Sequence, residues 1–371
     1  MEFSILNWNI GGAKYLETKG KDERARFREQ VNSALRSILQ RSGLGNPPDV
    51  VTLQEIVRYR EPDSQQMHDF VDRIEGYEYF PVTLIDTRFA SSKAKWRKVM
   101  QGSDWQKGTY FAQGSAFLFR KDSPLFPVWD LSNLDQPAPV TDKDCLVEHV
   151  HLESGLYFGD RNTEPRAALV AHFIYDPTRY AGDLGLAKKP LDLFLVNLHL
   201  TTLVMEREGV PEIDRKASRI RQSQLDIVFD GIVSRYNSWR RSGYRQRGEK
   251  VDPGPSETFD RYSPVWVLAG DFNFTPDSEE YAFVKRMNFI DTIPAENTVT
   301  PFGAGTKAKT VQRDPTLTVD YVFAGPKFVS LEPVVEDKGL RQNRVVHDHK
   351  YRASDHYPLA VTISFEPVVE R

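Results

Sequence analysis

The sequence predicts an α/β fold built on mixed β-sheets. Three observations carry that expectation. Short apolar runs of strand length, rich in β-branched and aromatic residues, recur along the chain. Amphipathic segments with three- and four-residue apolar spacing lie between some of them. The strands do not alternate strictly with helices, and several follow one another as hairpin-like pairs, which points to mixed rather than wholly parallel sheets.

The elements follow in order. "FSILNWNI" (3–10) reads as the first strand. Strand side chains alternate, so Leu6, Trp8 and Ile10 share one face, while Asn7 and Asn9 share the other. A buried amide without a partner costs on the order of 1–3 kcal/mol, so two amides on one face of a core strand need a reason. In the stretch 24–43, Phe27, Val31, Leu35, Ile38 and Leu39 mark a helix stopped at Gly43. "DVVTLQEI" (49–56), "GSAFLFR" (114–120), "AALVAHFIY" (167–175) and "LDLFLVNLHL" (191–200) read as strands. A second helix covers 214–239, with Ile220, Leu225, Val228, Ile232 and Val233 on its apolar side. The segment 240–263 is polar, bears Gly and Pro and lacks apolar periodicity, so it reads as a long loop of functional type. "VWVLAGDFN" (265–273) is a strand, and 277–287 is a helix with an acidic first turn that suits the helix dipole. "TVDYVFAG" (318–325) and "LAVTISF" (359–365) close the set. No repeat or low-complexity linker divides the chain, which is therefore expected to form one domain over residues 1–371.

Bulk properties narrow the class. The 371 residues are 40% hydrophobic and 12% aromatic, enough for a substantial core. With 49 basic and 52 acidic side chains the net charge is −3, so the chain has no globally basic signature. The lone cysteine, Cys145, excludes an intrachain disulfide framework and a cysteine-rich zinc site. The first residues lack a basic leader and no window holds 18 consecutive apolar residues, which points to a soluble, cytoplasmic protein without a membrane anchor.

The strand ends break the apolar pattern. Glu55 ends "VVTLQE", and Asn197 and His199 share a face of "LFLVNLHL". Asp271 and Asn273 end "VWVLAGDFN", Asp320 interrupts "TVDYVF", and Asp355 and His356 precede the last strand. Taken singly, each has an ordinary explanation as a turn former, helix cap or satisfied core residue. Taken together with Asn9, they form a set of carboxylates, amides and imidazoles at strand termini. Carboxylates and amides suit hard cations such as Mg2+ or Mn2+, which leave coordination positions for water and substrate phosphate. Histidines beside carboxylates serve acid–base roles, and amides can donate to a phosphoryl oxygen as charge builds. The inventory fits metal-assisted hydrolysis of a phosphoester. No GxSxG elbow and no GxxxxGK[ST] loop is present.

"LNWNIGG", "LQE", "NLHL", "GDFN", "DYVF" and "SDHYPL", in this order over residues 6–359, resemble the motifs of the endonuclease/exonuclease/phosphatase superfamily. The resemblance implies a DNase I-like four-layer sandwich, two packed mixed β-sheets flanked by helices, with the site where strand ends converge. It implies that Asn9, Glu55 and Asp355 serve a metal, Mg2+ with Mn2+ as the alternative. It implies catalytic parts for His199, Asp271, Asn273, Asp320 and His356, with Asp320 orienting His356. The sequence departs from the family where a glutamate would pair with the first histidine. "YFAQGSAFLFR" offers Gln113, with Tyr110 second, and an amide cannot stabilise an imidazolium as a carboxylate would.

Local charge bears on the substrate. Arg215 to Lys250 contains ten basic side chains, Arg219 and Arg221 among them, against three acidic ones. Residues 88–110 and 341–352 carry further basic clusters, the former interleaved with Trp96, Trp105 and Tyr110. Basic groups with aromatic neighbours suit a phosphate backbone with stacked bases, so DNA or RNA is the expected partner. Gln113, Asn197, Arg219 and Arg221 are the expected substrate contacts. Two other readings stand beside this one. The first is hydrolysis of a small phosphoester, such as an inositol phosphate, a lipid head group or a nucleotide. The second is a catalytically inactive binding module on the same fold.

Overall fold

The computed structural model of the chain describes residues 2–12, 20–41, 47–60, 68–86, 110–127, 148–156, 163–175, 191–201, 211–234, 265–292, 318–325, 344–345, 354 and 356–364. The expected loop 240–263 and most of the basic segments 88–110 and 341–352 lie outside these residues.

Fourteen strands are present among the described residues. In chain order they are β1 (Glu2–Asn9), β2 (Val50–Arg60), β3 (His68–Asp69), β4 (Tyr77–Asp86), β5 (Tyr110–Arg120), β6 (Leu125–Pro127) and β7 (Glu148–Leu156). There follow β8 (Thr163–Tyr175), β9 (Leu191–His199), β10 (Val265–Asp271), β11 (Ile290–Asp291), β12 (Asp320–Gly325), β13 (Arg344–Val345) and β14 (Leu359–Ser364). The helices are α1 (Gly20–Arg41), α2 (Pro211–Asp226) and α3 (Glu279–Arg286). A π-helical stretch, Ile227–Ser234, continues α2. No helix among the described residues is long and apolar enough to cross a membrane.

The strands form two seven-stranded sheets. The first runs β13-β14-β1-β2-β5-β4 with β3 on β2, and the second β11-β12-β10-β9-β8-β6 with β7 on β8. Each sheet has one parallel pair, β1–β2 in the first and β9–β10 in the second, and its other pairings are antiparallel. A parallel pair needs a crossover, and the connections contain α1 and α2 respectively.

Alternation in the strands builds the layers. Phe3, Ile5, Val50, Phe117, Leu193, Leu195, Val265, Val267, Val361 and Ile363 form a core shared by both sheets. The opposite face of the first sheet, with Leu6, Trp8, Val51 and Leu53, packs on Val31, Leu35 and Ile38 of α1. The outer face of the second sheet, with Phe194, Val196, Trp266 and Leu268, packs on Leu225, Phe229, Ile232 and Val284. The result is the expected four-layer sandwich. Each fully buried large apolar side chain, from strand or helix, contributes roughly 1.5–3 kcal/mol to holding these layers together. The helix expected from residue 24 begins earlier, at Gly20, with Asp22 and Glu23 in a first turn that favours negative charge. Ser278 caps α3, its Oγ accepting from the Tyr281 amide at 3.1 Å.

Candidate active site

The inner faces of the two sheets change character along the strands. In β1 the sequence Phe3, Ile5, Asn7, Asn9 faces the other sheet; in β9 it is Leu193, Leu195, Asn197, His199; in β10 it is Val265, Val267, Ala269, Asp271. The strand registers place Asn7 beside Thr52, Asn9 beside Gln54, His199 beside Asp271, and Asp271 beside Asp320. The apolar interior therefore gives way to a layer of amides and then to a layer of ionisable groups. Both parallel pairs turn their carboxyl ends to this edge, the usual place for a site in an α/β sheet.

Asn7, Gln54 and Asn197 form a connected amide layer, in which only Gln54 Oε1 among these side-chain atoms is buried without a partner. Asn7 Oδ1 accepts from Thr52 Oγ1 at 2.8 Å and from Gln54 Nε2 at 2.9 Å, and Asn7 Nδ2 donates to the Gly270 carbonyl at 3.3 Å. Gln54 Nε2 also donates to Asn197 Oδ1 at 2.8 Å. Asn197 Nδ2 donates to the carbonyls of Ala116 at 2.8 Å and Leu53 at 3.1 Å. Three buried amides thus stitch one sheet to the other, and Asn7 has its reason for facing inward.

The outermost layer holds the chemistry. Asn9 Nδ2 donates to Asp271 Oδ2 at 2.9 Å and approaches Glu55 Oε1 at 3.4 Å. The Asn273 amide donates to Asp271 Oδ1 at 3.0 Å, and Asn273 Nδ2 donates to the Leu200 carbonyl. Asp320 Oδ2 lies 2.8 Å from His356 Nδ1. His356 Nε2 and His199 Nε2 lie 3.8 Å and 3.7 Å from Asp271 Oδ2. His356 is held from behind: its amide donates to Ser354 Oγ, its carbonyl accepts from Trp8 Nε1 at 3.0 Å, and Ser354 Oγ donates to the Asn9 carbonyl at 2.6 Å.

Backbone geometry aims two of these side chains. The β2–β5 register skips Glu55, which sits at φ 56° in a β-bulge. In an unbroken strand Glu55 would point opposite to Gln54, into the apolar layer beneath α1; the bulge redirects it to the edge. A side chain at Gly12 would strike the Glu55 carbonyl, so the glycine permits the bulge to pack. Gly270, at φ 156°, lies against the Leu198 backbone, where no Cβ fits.

Burial and like charge set the electrostatics. The Asp271 carboxyl is pushed up to about 7, first by burial and then by the Asp320 carboxylate; His356 and the Asn9 hydrogen bond pull the other way. His199 is held well below the ordinary imidazole value by burial, then by the charges of Arg166 and His356. Arg166 Nη1 lies 3.3 Å from His199 Nδ1.

The expected residues divide accordingly. Asn9, Glu55, His199, Asp271, Asn273, Asp320 and His356 come together; Asp355 lies outside the described residues. Asn197, expected at the substrate, is a fully buried cross-sheet strut. Arg221, expected there too, is buried against Glu280 at 2.9 Å and against the Thr201 carbonyl, so its charge is spent inside the fold. Arg219 is exposed on α2. Gln113 is buried on β5, across the sandwich from β9, and the ring nitrogen of His199 that it was expected to face instead meets Arg166 of the neighbouring strand β8. Sequence reasoning missed Arg166, because an arginine heading an apolar strand reads as a solvated strand end. It also missed Ser354, for which the "SDH" motif was the available signal.

Carboxylates and amides meet here as a divalent cation requires, while His356 and Asp320 are taken up by their own contact. One ligand atom each from Asp271, Asp320 and His356 lies within 4.8 Å of the others. Asp320 Oδ1 is buried without a hydrogen-bond partner. The half-buried Glu55 carboxylate and the Asn9 amide border the same group.

No curated protein sequence matches the chain. Among solved structures it is similar to the catalytic domain of human Nocturnin with a bound sulfate anion, at 14% identity and TM-score 0.45, covering 98% of this chain and 95% of that one. It is similar to an endonuclease/exonuclease/phosphatase from Bacteroides vulgatus, at 14% identity and TM-score 0.48, covering 99% and 100%. A mannosyl-6-phosphatase from Bacteroides thetaiotaomicron aligns at 15% identity and TM-score 0.42, covering 98% and 99%. The model of the Endonuclease/Exonuclease/phosphatase family matches residues 6–356, a span that opens three residues before Asn9 and closes on His356. The chain belongs to that family.

Proposed function

We propose that the protein is a hydrolase of phosphodiester bonds that works with a divalent cation, Mg2+ or Mn2+, and that its substrate is DNA or RNA. The observation that carries this reading is the approach of two imidazoles, His199 and His356, to one buried carboxylate oxygen, Asp271 Oδ2. A phosphate lodged among these three groups would meet a donor, a proton-transferring pair and a base.

Asp271 orients and deprotonates the attacking water. Asn273 and Asn9 hold that carboxylate by its two oxygens. Asp320 fixes His356 through Nδ1, leaving Nε2 to exchange a proton with a phosphate oxygen. His199 donates to the phosphate from the other side. Asn9, Glu55 and Asp355 would hold the cation, which would supply charge neutralisation at the phosphate and a more acidic water. Exposed Arg215, Lys216 and Arg219 of α2, which follows the His199 strand, favour a polyanionic substrate.

A panel assay tests the reading: single-stranded and duplex DNA, RNA, abasic duplex, 5′-tyrosyl DNA and inositol phosphates, each with Mg2+, Mn2+ or EDTA. Nucleic-acid cleavage that needs the cation and weakens steeply with salt is expected. Turnover of small phosphates alone would overturn the substrate assignment, and full activity in EDTA would overturn the cation.

A further inference from the structure

Two histidines flank Asp271, and their backing groups differ in kind. His356 Nδ1 faces a carboxylate, Asp320 Oδ2, at 2.8 Å. His199 Nδ1 faces a guanidinium, Arg166 Nη1, at 3.3 Å. We propose that Arg166 is a positioning residue that fixes the His199 proton on Nε2, making His199 a permanent hydrogen-bond donor to the substrate phosphate rather than a proton shuttle. The phosphate in this statement rests on the functional reading above; the tautomer does not.

The assignment follows from donor chemistry. Arginine carries five N–H donors and no acceptor. A ring nitrogen at hydrogen-bond distance from it must present a lone pair. Nδ1 of His199 therefore accepts, and the ring proton resides on Nε2. That is the nitrogen 3.7 Å from Asp271 Oδ2. His356 has the reverse arrangement: its Nδ1 donates to Asp320, so the neutral ring shows Asp271 a lone pair at Nε2. One carboxylate oxygen is thus approached by an N–H from one imidazole and by an exchangeable position from the other.

Arg166 is placed to hold this geometry. It lies on β8, directly beside β9 in the same sheet, and is 7% exposed. A carboxylate in place of Arg166 would reverse the assignment, drawing the proton to Nδ1.

Nitrogen-15 NMR of the full chain, without metal or substrate at neutral pH, tests the tautomer directly; the His199 signals are identified by their loss in His199→Gln. The expected spectrum shows an unprotonated Nδ1 and a protonated Nε2. A protonated Nδ1, or averaging between tautomers, overturns the proposal. In Arg166→Met the ring should lose its single tautomer, and in Arg166→Lys, which restores a donor, it should keep it. An unchanged ring in Arg166→Met overturns the proposal as well. Hydrolysis of bis(p-nitrophenyl) phosphate by Arg166→Met should fall about 10²-fold in kcat with KM little changed, and recover in part in Arg166→Lys. If the wild type hydrolyses no phosphoester, the functional reading fails while the spectrum still decides the tautomer.

Discussion

Asn9 Nδ2 donates to Asp271 Oδ2 at 2.9 Å, so the end of the first strand of one sheet is tied to the end of a central strand of the other. This bond favours the charged carboxylate, yet burial and Asp320 outweigh it and leave Asp271 at about 7. The folded value lies above the unfolded one of 3.8, so folding takes up a proton between them. The penalty for burying the charged form is absent below about pH 4 and complete above about pH 7. Asp271→Asn should therefore be more heat-stable than the metal-free wild type at pH 8, with a gain of the order of a few kcal/mol that disappears toward pH 4. Thermal unfolding across this range measures it; a gain independent of pH would refute the burial account.

Glu55 stands at φ 56°, where an L side chain costs on the order of 1 kcal/mol. Both Glu55→Ala and Glu55→Gly should abolish cation-dependent hydrolysis. They should differ in stability, with the glycine variant unfolding at higher urea because it has no Cβ to strain. Equal midpoints for the two would argue against a strained bulge.

His356→Ala should lower turnover by about 10² or more, as loss of a general acid–base group does. Asp320→Asn should approach the same deficit, because a neutral amide cannot stabilise the charged His356 ring as the carboxylate does. Pre-steady-state rates on an accepted phosphodiester give the comparison. An Asp320→Asn enzyme with wild-type kcat would show that His356 needs no orienting partner.

Asn197 and Arg221 should behave as structural groups and Arg219 as a surface one. Asn197→Ala strands two backbone carbonyls and Gln54 and should cost about 1–3 kcal/mol. Arg221→Ala leaves Glu280 buried and alone, and should cost about 3–5 kcal/mol. Arg219→Ala should change stability by less than about 0.5 kcal/mol and reduce the salt dependence of nucleic-acid binding. Urea titrations and filter binding separate the three.

Much of this was legible in the sequence, for a physical reason. β1, β2, β9 and β10 are buried on both faces, so they read as apolar runs, and any polar residue inside them stands out. The same contrast cannot tell a side chain that serves a substrate from one that binds two strands together. Asn197 and His199, two residues apart on one face, look alike in the sequence and sit in different layers. The bulge at Glu55 left no mark, because the residue itself adopts the positive φ without a glycine to announce it. The π-helical stretch Ile227–Ser234 keeps apolar spacing close enough to 3.6 that it read as ordinary helix. The two-residue strands β3, β11 and β13 carry too few side chains for any period.

The amide layer between Asn7, Gln54 and Asn197 has one more effect. Greasy contacts let two surfaces slide over each other at little cost, since each methyl finds another neighbour. Directed bonds to fixed carbonyls do not. The dry end of the sandwich gives cohesion without alignment, and the amides act as dowels that set the rotation of one sheet on the other. Residues drawn from both halves, such as Asn9 and Asp271, are thereby kept opposite each other.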